Sequence, residues 1–323
     1  MNELYPLKFD PIMHYRLWGG TKLKDLFGKP SKTDTAAESW ELSAVEDNVS
    51  IVSNGSLAGK SLQQLINDDA RALLGVSVVE RFGEEFPILI KFIDAKKDLS
   101  IQLHPNDELA KSRHNSFGKT EMWYIMDTDP GANLIIGFNK DVTKDEYTES
   151  LEKDTLLDLL NYVPVTEGDT FFINTGKIHA IGAGVVLAEI QQTSDLTYRI
   201  FDFNRKDTDG NLRELHTDLA LDAIDYEQKD DFKVNYPTAK DTTNTMVDCP
   251  YFKTNFLDLT SDLHQNVANR DSFTIYMCVN GVAEISNDWG STSIKKGETI
   301  LLAASSTSIN IITQGAKLLE VTI

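Results

Sequence analysis

Six histidines are spread over 323 residues, and two of them stand where their neighbours could make them chemically useful. The first lies in Ser100-Ile101-Gln102-Leu103-His104-Pro105, where polar and apolar residues alternate. Successive side chains of a strand point to opposite faces, so the segment predicts Gln102 and His104 on one face and Ile101 and Leu103 on the other. Glu121 opens the next apolar run, and Lys119, two residues before it, is predicted on the same face. The second histidine ends the stretch Gly168-Asp169-Thr170-Phe171-Phe172-Ile173-Asn174-Thr175-Gly176-Lys177-Ile178-His179. A glycine turn, a strand, a second glycine turn and a histidine predict His179 on an adjacent strand, aimed inward. One amide oxygen, two imidazoles and one carboxylate make a mixed nitrogen and oxygen donor set with room for substrate or water. Such a set suits Zn²⁺ at ~2.0–2.2 Å, and Mn²⁺ or Fe²⁺ would also fit it. The competing reading is a pair of hydrogen-bonded core histidines, the commoner fate of an isolated buried imidazole. His14, His114, His216 and His264 lack a comparable context and read as surface or structural residues.

These residues need elements to position them. Short apolar runs broken by Gly, Asn and Asp predict strands at 86–93, 99–104, 122–126, 133–137, 170–173, 185–191 and 197–203. A second set is predicted at 251–259, 273–279, 282–285, 299–302, 309–312 and 317–323. Helical signals are confined to four places. Residues 61–75 start with Ser61 and Gln64 in capping-box spacing and end at a glycine. Residues 105–114 carry an early proline, 143–162 combine a Thr143 and Glu146 capping box with a leucine stripe, and 214–224 form the last. Many short strands and few helices predict a sandwich or barrel rather than a doubly wound sheet. The polar stretch 228–244 reads as a boundary. Gly168-Asp169-Thr170-Phe171-Phe172-Ile173 before it is echoed by Gly297-Glu298-Thr299-Ile300-Leu301-Leu302 after it. Met122-Trp123-Tyr124-Ile125-Met126 is echoed, in the same order, by Thr274-Ile275-Tyr276-Met277-Cys278. Two echoes in one order predict two copies of one β unit.

Composition narrows the function. The length predicts about two domains at ~150 residues each. With 31 Lys and Arg against 50 Asp and Glu, the formal charge is −19, which argues against sequence-independent nucleic-acid binding. An anionic small substrate would need a local cluster of basic residues. Cys249 and Cys278 match no metal or redox spacing. The first ten residues do not read as a signal peptide, and no stretch approaches the ~18 apolar residues of a membrane span. A reduced, cytoplasmic protein without a membrane partner is expected.

The 168–179 segment resembles the second conserved motif of the cupin superfamily, small β-barrels that bind metal inside, with Asn174 in place of the usual proline. The first cupin motif normally offers two histidines spaced by one residue and then a glutamate. Here Gln102 takes the first position, His104 the second, and Glu121 arrives late, after an insertion spanning 105–120. Gln-x-His-Pro, then Lys-x-Glu-Met, then the late histidine is the pattern of type I mannose-6-phosphate isomerases. Arg16-Leu17-Trp18-Gly19-Gly20 and Glu38-Ser39-Trp40-Glu41 look like that family's opening landmarks. Tyr198-Arg199-Ile200-Phe201 resembles the segment carrying its catalytic arginine, and the length resembles the short bacterial branch. The resemblance covers nearly the whole chain. It implies a mainly β fold of two cupin-like jelly-roll barrels, a bicupin, with a few helices inserted in the N-terminal half. Residues 1–235 would be the catalytic cupin domain and 236–323 a cupin-like domain that has lost its metal ligands. In register with Gly168, Ser308 stands where His179 would be, and Phe273 falls near the place of Glu121. This second copy is expected to close one side of the barrel or bury its open edge.

The resemblance further implies interconversion of mannose 6-phosphate and fructose 6-phosphate, moving a proton between C1 and C2 through a cis-enediol. Gln102, His104, Glu121 and His179 would hold one Zn²⁺ per chain, and the substrate would be a small sugar phosphate. Arg199 would be catalytic, stabilising anionic charge at the reacting end or holding phosphate. Glu189 and Asp195 match acidic positions of the pocket, Glu189 as a proton-transfer group or as a partner for Arg199. Lys119 and Arg205 match its basic positions. Trp18 and Trp40 read as packing residues. The alternative is a non-catalytic sugar-phosphate-binding cupin, a sensor or regulator; the intact ligand positions and Arg199 favour the enzyme. A metal-dependent oxygenase is disfavoured, because Gln102 is an odd ligand for that task.

Overall fold

The computed structural model describes residues 3–206 and 210–323. Its first half carries strands β1 (Ile12–His14), β2 (Glu38–Leu42), β3 (Ile88–Ala95), β4 (Ile101–Leu103), β5 (Glu121–Thr128) and β6 (Asn133–Phe138). These are followed by β7 (Leu160–Pro164), β8 (Thr170–Ile173), β9 (His179–Ile181), β10 (Val185–Gln192) and β11 (Tyr198–Phe201). Six strands pair in the order β1-β2-β3-β10-β5-β8 and five in the order β11-β4-β9-β6-β7. Alternation along β10 explains how the sheets stack. Val185 and Leu187 pack with Ile93, Ile125, Leu134 and Ile181 between the two sheets. Val186, Ala188 and Ile190 point the other way and pack with Phe256, Ile275 and Leu319 from the C-terminal part. Both faces of β10 are therefore buried, and each fully buried aliphatic side chain contributes ~1.5–3 kcal/mol.

The C-terminal part is built from β12 (Thr243–Asp248), β13 (Lys253–Leu259), β14 (Leu263–Asn266), β15 (Thr274–Asn287), β16 (Gly290–Lys295), β17 (Thr299–Leu302), β18 (Ser308–Ile312) and β19 (Ala316–Thr322). They pair in the order β12-β13-β19-β15-β18-β14, with β16 and β17 also on β15. This unit covers the outer face of the six-stranded sheet rather than an edge of it. The edge at β8 is covered by the linker instead: Phe172 donates its N–H to the Phe232 carbonyl at 2.8 Å, and Val234 donates to Thr170 at 2.9 Å. The start of the chain is stitched to the C-terminal unit, Leu7 and Leu301 exchanging N–H···O bonds of 2.9 Å in each direction.

The two halves share strand register as well as sequence echoes. Glu189 lies opposite Trp123 in one, and Glu320 opposite Tyr276 in the other. Gln102 faces His179, and Asn266 faces Ser308. By this register the counterpart of Glu121 is Thr274, one residue beyond Phe273. Glu320 is buried and saturated: it accepts from Tyr276 Oη at 2.8 Å, Asn255 Nδ2 at 2.9 Å and Arg270 Nη1 at 3.2 Å.

Capped helix starts form where their signals place them. The helix Leu62–Leu74 has the Ser61 and Gln64 capping box complete, and Asp107–His114 is capped by Asn106. A further helix, Val76–Phe82, carries no such signal. It starts beyond Gly75, whose φ is +104° and where a Cβ would lie 2.3 Å from the Asp271 carbonyl oxygen. The Asp271 carboxylate accepts the N–H groups of Val76 and Ser77, tying this turn to the C-terminal unit. The helix expected over 143–162 stops at Glu152 despite its complete capping box. Asp154 turns the chain at a φ of +55°, and the leucines continue as a 3₁₀ turn at Leu156–Leu159 and then as β7. Leu156 and Leu160 pack with Phe138 and Tyr147, so pairing with β6 overrides helix propensity. The helix expected over 214–224 shortens to Thr217–Ala220. The two strands expected at 273–279 and 282–285 are one continuous strand, bulged after Cys278.

Candidate active site

The space between the two sheets of the first barrel opens into a cavity of about 440 Å³, within the ~300–1,000 Å³ usual for small-molecule sites. At its floor, Gln102 on β4 lies directly across from His179 on β9. His104 follows β4, and Glu121 heads β5 on the opposing sheet. His104, Glu121 and His179 are buried, and one ligand atom of each lies within 4.8 Å of the others. His104 Nε2 stands 3.5 Å from Glu121 Oε2, and His179 Nε2 stands 3.4 Å from Glu121 Oε1.

The tautomers follow from hydrogen bonding. His104 Nδ1 donates to the Leu196 carbonyl at 2.8 Å, and His179 Nδ1 to the Lys177 carbonyl at 2.9 Å. A carbonyl only accepts, so each Nδ1 carries the proton and each Nε2 turns a lone pair toward Glu121. His104 Nε2 and both Glu121 oxygens are buried without a hydrogen-bond partner among the described residues. Burial, with the charge of Lys119 adding to it, holds His104 well below its ordinary value, and burial lowers His179 to about 4. Both are neutral at neutral pH, the form that binds metal. Burial pushes the Glu121 carboxyl up to about 7, although Lys119 Nζ lies 3.2 Å from Oε2. Two lone pairs and a carboxylate short of positive charge fit a divalent cation and make a poor hydrogen-bonded core. Gln102 Nε2 lies 3.5 Å from His179 Nε2; turning the amide over sets Oε1 on the same cluster.

Above the floor, Lys119, Glu189, Asp195 and Arg199 all line the cavity. Glu189 pairs with Lys91, not with Arg199. Lys91 lies opposite it on β3, with Nζ 2.9 Å from Oε2, and Trp123 Nε1 donates to Oε1 at 2.9 Å. Burial alone would raise the Glu189 carboxyl, but Lys91, Lys119 and Trp123 outweigh it and pull it down to about 2. Arg199 sits on β11 opposite Gln102. Its Nε donates to Ser100 Oγ at 3.2 Å and its Nη1 to the Glu214 carbonyl at 3.0 Å. Asp195 is exposed at the rim. Arg205 does not line the cavity. Its guanidinium is drawn onto Asp202 and the Asp98 carbonyl, because a buried carboxylate must be paired. Arg213 takes a place on the wall instead.

Several lining residues escaped sequence reasoning. Lys91 interrupts an otherwise apolar strand, a signal that could have been read. His14 packs against Trp40 in a tilted arrangement with ring centroids 4.3 Å apart and lines the cavity with Arg16, so it is not merely a surface residue. His216 supports the wall: its Nδ1 accepts the Arg199 N–H at 3.2 Å. Trp18 and Trp40 are buried and also line the cavity, so packing and lining coincide.

An antiparallel barrel that gathers imidazole and carboxylate donors on its inner wall is the cupin arrangement, and this is a cupin protein. Comparison with known proteins narrows the class. The family model for the phosphomannose isomerase type I catalytic domain matches residues 7–136, and that for the mannose-6-phosphate isomerase cupin domain matches 241–319. The chain is 36% identical over 300 residues, 92% of each sequence, to mannose-6-phosphate isomerase ManA of Bacillus subtilis. It is 38% identical over 219 residues to the mannose-6-phosphate isomerase of Streptococcus mutans, covering 68% of this chain and 67% of the relative. The crystal structure of the Bacillus subtilis mannose 6-phosphate isomerase matches with a TM-score of 0.89 at 30% identity, over 98% of this chain and 99% of that one. The chain belongs to the type I mannose-6-phosphate isomerase family.

Proposed function

We propose that the protein interconverts D-mannose 6-phosphate and D-fructose 6-phosphate by metal-assisted proton transfer through a cis-enediol. The observation that carries this reading is the convergence of His104 Nε2, His179 Nε2 and the buried Glu121 carboxylate beneath a cavity lined by Lys119, Glu189 and Arg199. Gln102, His104, Glu121 and His179 hold one Zn²⁺ per chain, the borderline metal that nitrogen and oxygen donors of this kind suit. When bound, the ion polarises the sugar oxygens and helps stabilise enediolate charge. Arg199 meets the anionic charge of the substrate, since among the described residues its fork is bonded to the neutral oxygens of Ser100 and the Glu214 carbonyl. Lys119 and Glu189 are the charged groups flanking the reacting carbons. Lys119 offers a proton at the edge of the donor cluster, and Glu189, held ionised by Lys91, fixes the local field. Asp195 binds substrate hydroxyls from the rim. Arg205, drawn onto Asp202, supports the wall from behind.

The chain is read as two units divided at 235/236: a catalytic cupin domain, and a C-terminal cupin-like domain with Asn266, Thr274 and Ser308 at the positions of the ligands. No described helix is long and apolar enough to cross a membrane, and the reading assigns the protein to the cytoplasm. A coupled assay for fructose 6-phosphate, run on protein as purified, after chelation and after zinc is added back, tests the proposal. Activity lost and then restored is expected. No turnover from fully metallated protein would favour a sugar-phosphate sensor.

A further inference from the structure

Arg213 was not expected at the site, yet it lines the cavity while Arg205 does not. An antiparallel bridge between Lys206 and Leu212 brings the chain back on itself, so Arg205 and Arg213 flank the bridge and reach the same buried carboxylate, Asp202. Arg213 Nε donates to Asp202 Oδ2 at 2.6 Å, and its Nη2 donates to Oδ1. That fork fixes the guanidinium plane while a quarter of the side chain stays exposed, 25% against 6% for Asp202. Arg199 is tied to the same segment, because its Nη1 bonds to the carbonyl of Glu214, the residue after Arg213.

Charge points the same way. Three guanidinium groups gather here, and among the described residues Asp202 is the one carboxylate ion-paired with any of them. Three guanidinium groups sharing one described ion-paired carboxylate stand out in a chain of formal charge −19. Like charges held together are unfavourable unless an anion meets them, and Arg213 adds to the larger effect of burial in lowering the pKa of Arg199. Planar guanidinium forks are the groups that suit a phosphate dianion.

Resting on the isomerase reading above, we infer that Arg213, oriented by Asp202 and standing beside Arg199, binds the phosphate of the substrate, at the basic position of the pocket that resemblance had given to Arg205. Steady-state kinetics of Arg213→Ala, with inorganic phosphate as competing inhibitor, tests this. Deleting a charged hydrogen bond to bound substrate raises KM about 10- to 100-fold with kcat within about 3-fold, and weakens phosphate inhibition in parallel. Arg213→Lys falls between the alanine variant and wild type. Unchanged KM and phosphate inhibition would overturn the assignment, as would a kcat loss at unchanged KM or a larger KM effect from Arg205→Ala. If Arg213→Ala does not fold, Arg213→Gln, which keeps a donor for Asp202, is read by the same criteria. If wild-type protein does not convert mannose 6-phosphate, the isomerase reading fails separately. Calorimetric titration with inorganic phosphate then decides the matter: binding abolished in Arg213→Ala supports the inference, and equal binding, or none to wild type, refutes it.

Discussion

Replacing Lys91 with methionine keeps the unbranched stem and removes one charge from the inner wall. Lys91 and Glu189 are 5% and 3% exposed and meet at 2.9 Å, with Glu38 Oε2 at 3.8 Å from the same ammonium. Lys91 is the largest of the influences that hold the Glu189 carboxyl near 2 instead of its ordinary 4.5, against a burial penalty acting the other way. At ~1.4 kcal/mol per pKa unit, that depression corresponds to about 3 kcal/mol of native-state stability. Breaking a buried ion pair by removing one partner typically costs ~3–5 kcal/mol, so the two routes agree. A carboxyl with a depressed native pKa contributes stability above its unfolded value, and that stability is lost as pH falls through the native one. The deficit of Lys91→Met is therefore full at pH 7 and shrinks to less than about half by pH 3. At ~2–4 °C per kcal/mol, the melting temperature at pH 7 falls by roughly 6–12 °C. Thermal unfolding followed by circular dichroism at the two pH values reads the effect. Adding Glu189→Gln to Lys91→Met recovers part of the loss, because the Glu189 charge is then no longer stranded. Equal melting temperatures at pH 7, or a deficit undiminished at pH 3, would refute the ion-pair reasoning.

Other outcomes follow from the same geometry. His179→Ala removes one of the two Nε2 lone pairs, so the purified variant retains little metal by elemental analysis and does not turn over. Arg199→Ala retains metal but loses about 10²–10³ in kcat, the usual effect of deleting a group that stabilises developing negative charge; normal turnover would show its role to be misassigned. Chelation lowers the melting temperature of wild type, and a metal at about 100 times its Kd restores ~2.7 kcal/mol of stability. Ser61→Ala deletes one half of a complete capping box and costs ~1 kcal/mol in urea unfolding without affecting turnover.

The parts legible in the sequence were those governed by local rules. Period-two alternation put Gln102 and the approach to His104 on one face, and glycine-bounded turns returned the chain so that His179 came to lie beside Gln102. Capping boxes at Ser61 and Thr143 marked true helix starts. The repeated Gly-Asp/Glu-Thr motif announced two related units. Local rules failed where a neighbouring strand set the conformation. The leucines after Asp154 have helical composition, yet β6 recruits them as a strand. Asn280 and Gly281 read as a break, yet β15 runs through them because β19 pairs along that stretch.

At the site the division is similar. The donor types, and their grouping into a Gln-x-His pair, a glutamate and a late histidine, are properties of the chain itself, as is the acidic excess that makes a basic cluster meaningful. Which nitrogen of each imidazole bears its lone pair was decided by the carbonyls of Leu196 and Lys177, whose approach depends on loop packing. Glu189 found its partner in Lys91 because β10 lies beside β3, strands separated by about ninety residues. Arg205 and Arg213 were equal candidates in composition, and the position of Asp202 sent one behind the wall and set the other on it. Residue type and spacing are carried by the sequence. Partner choice depends on burial and distance, and those exist only once the sheets have closed.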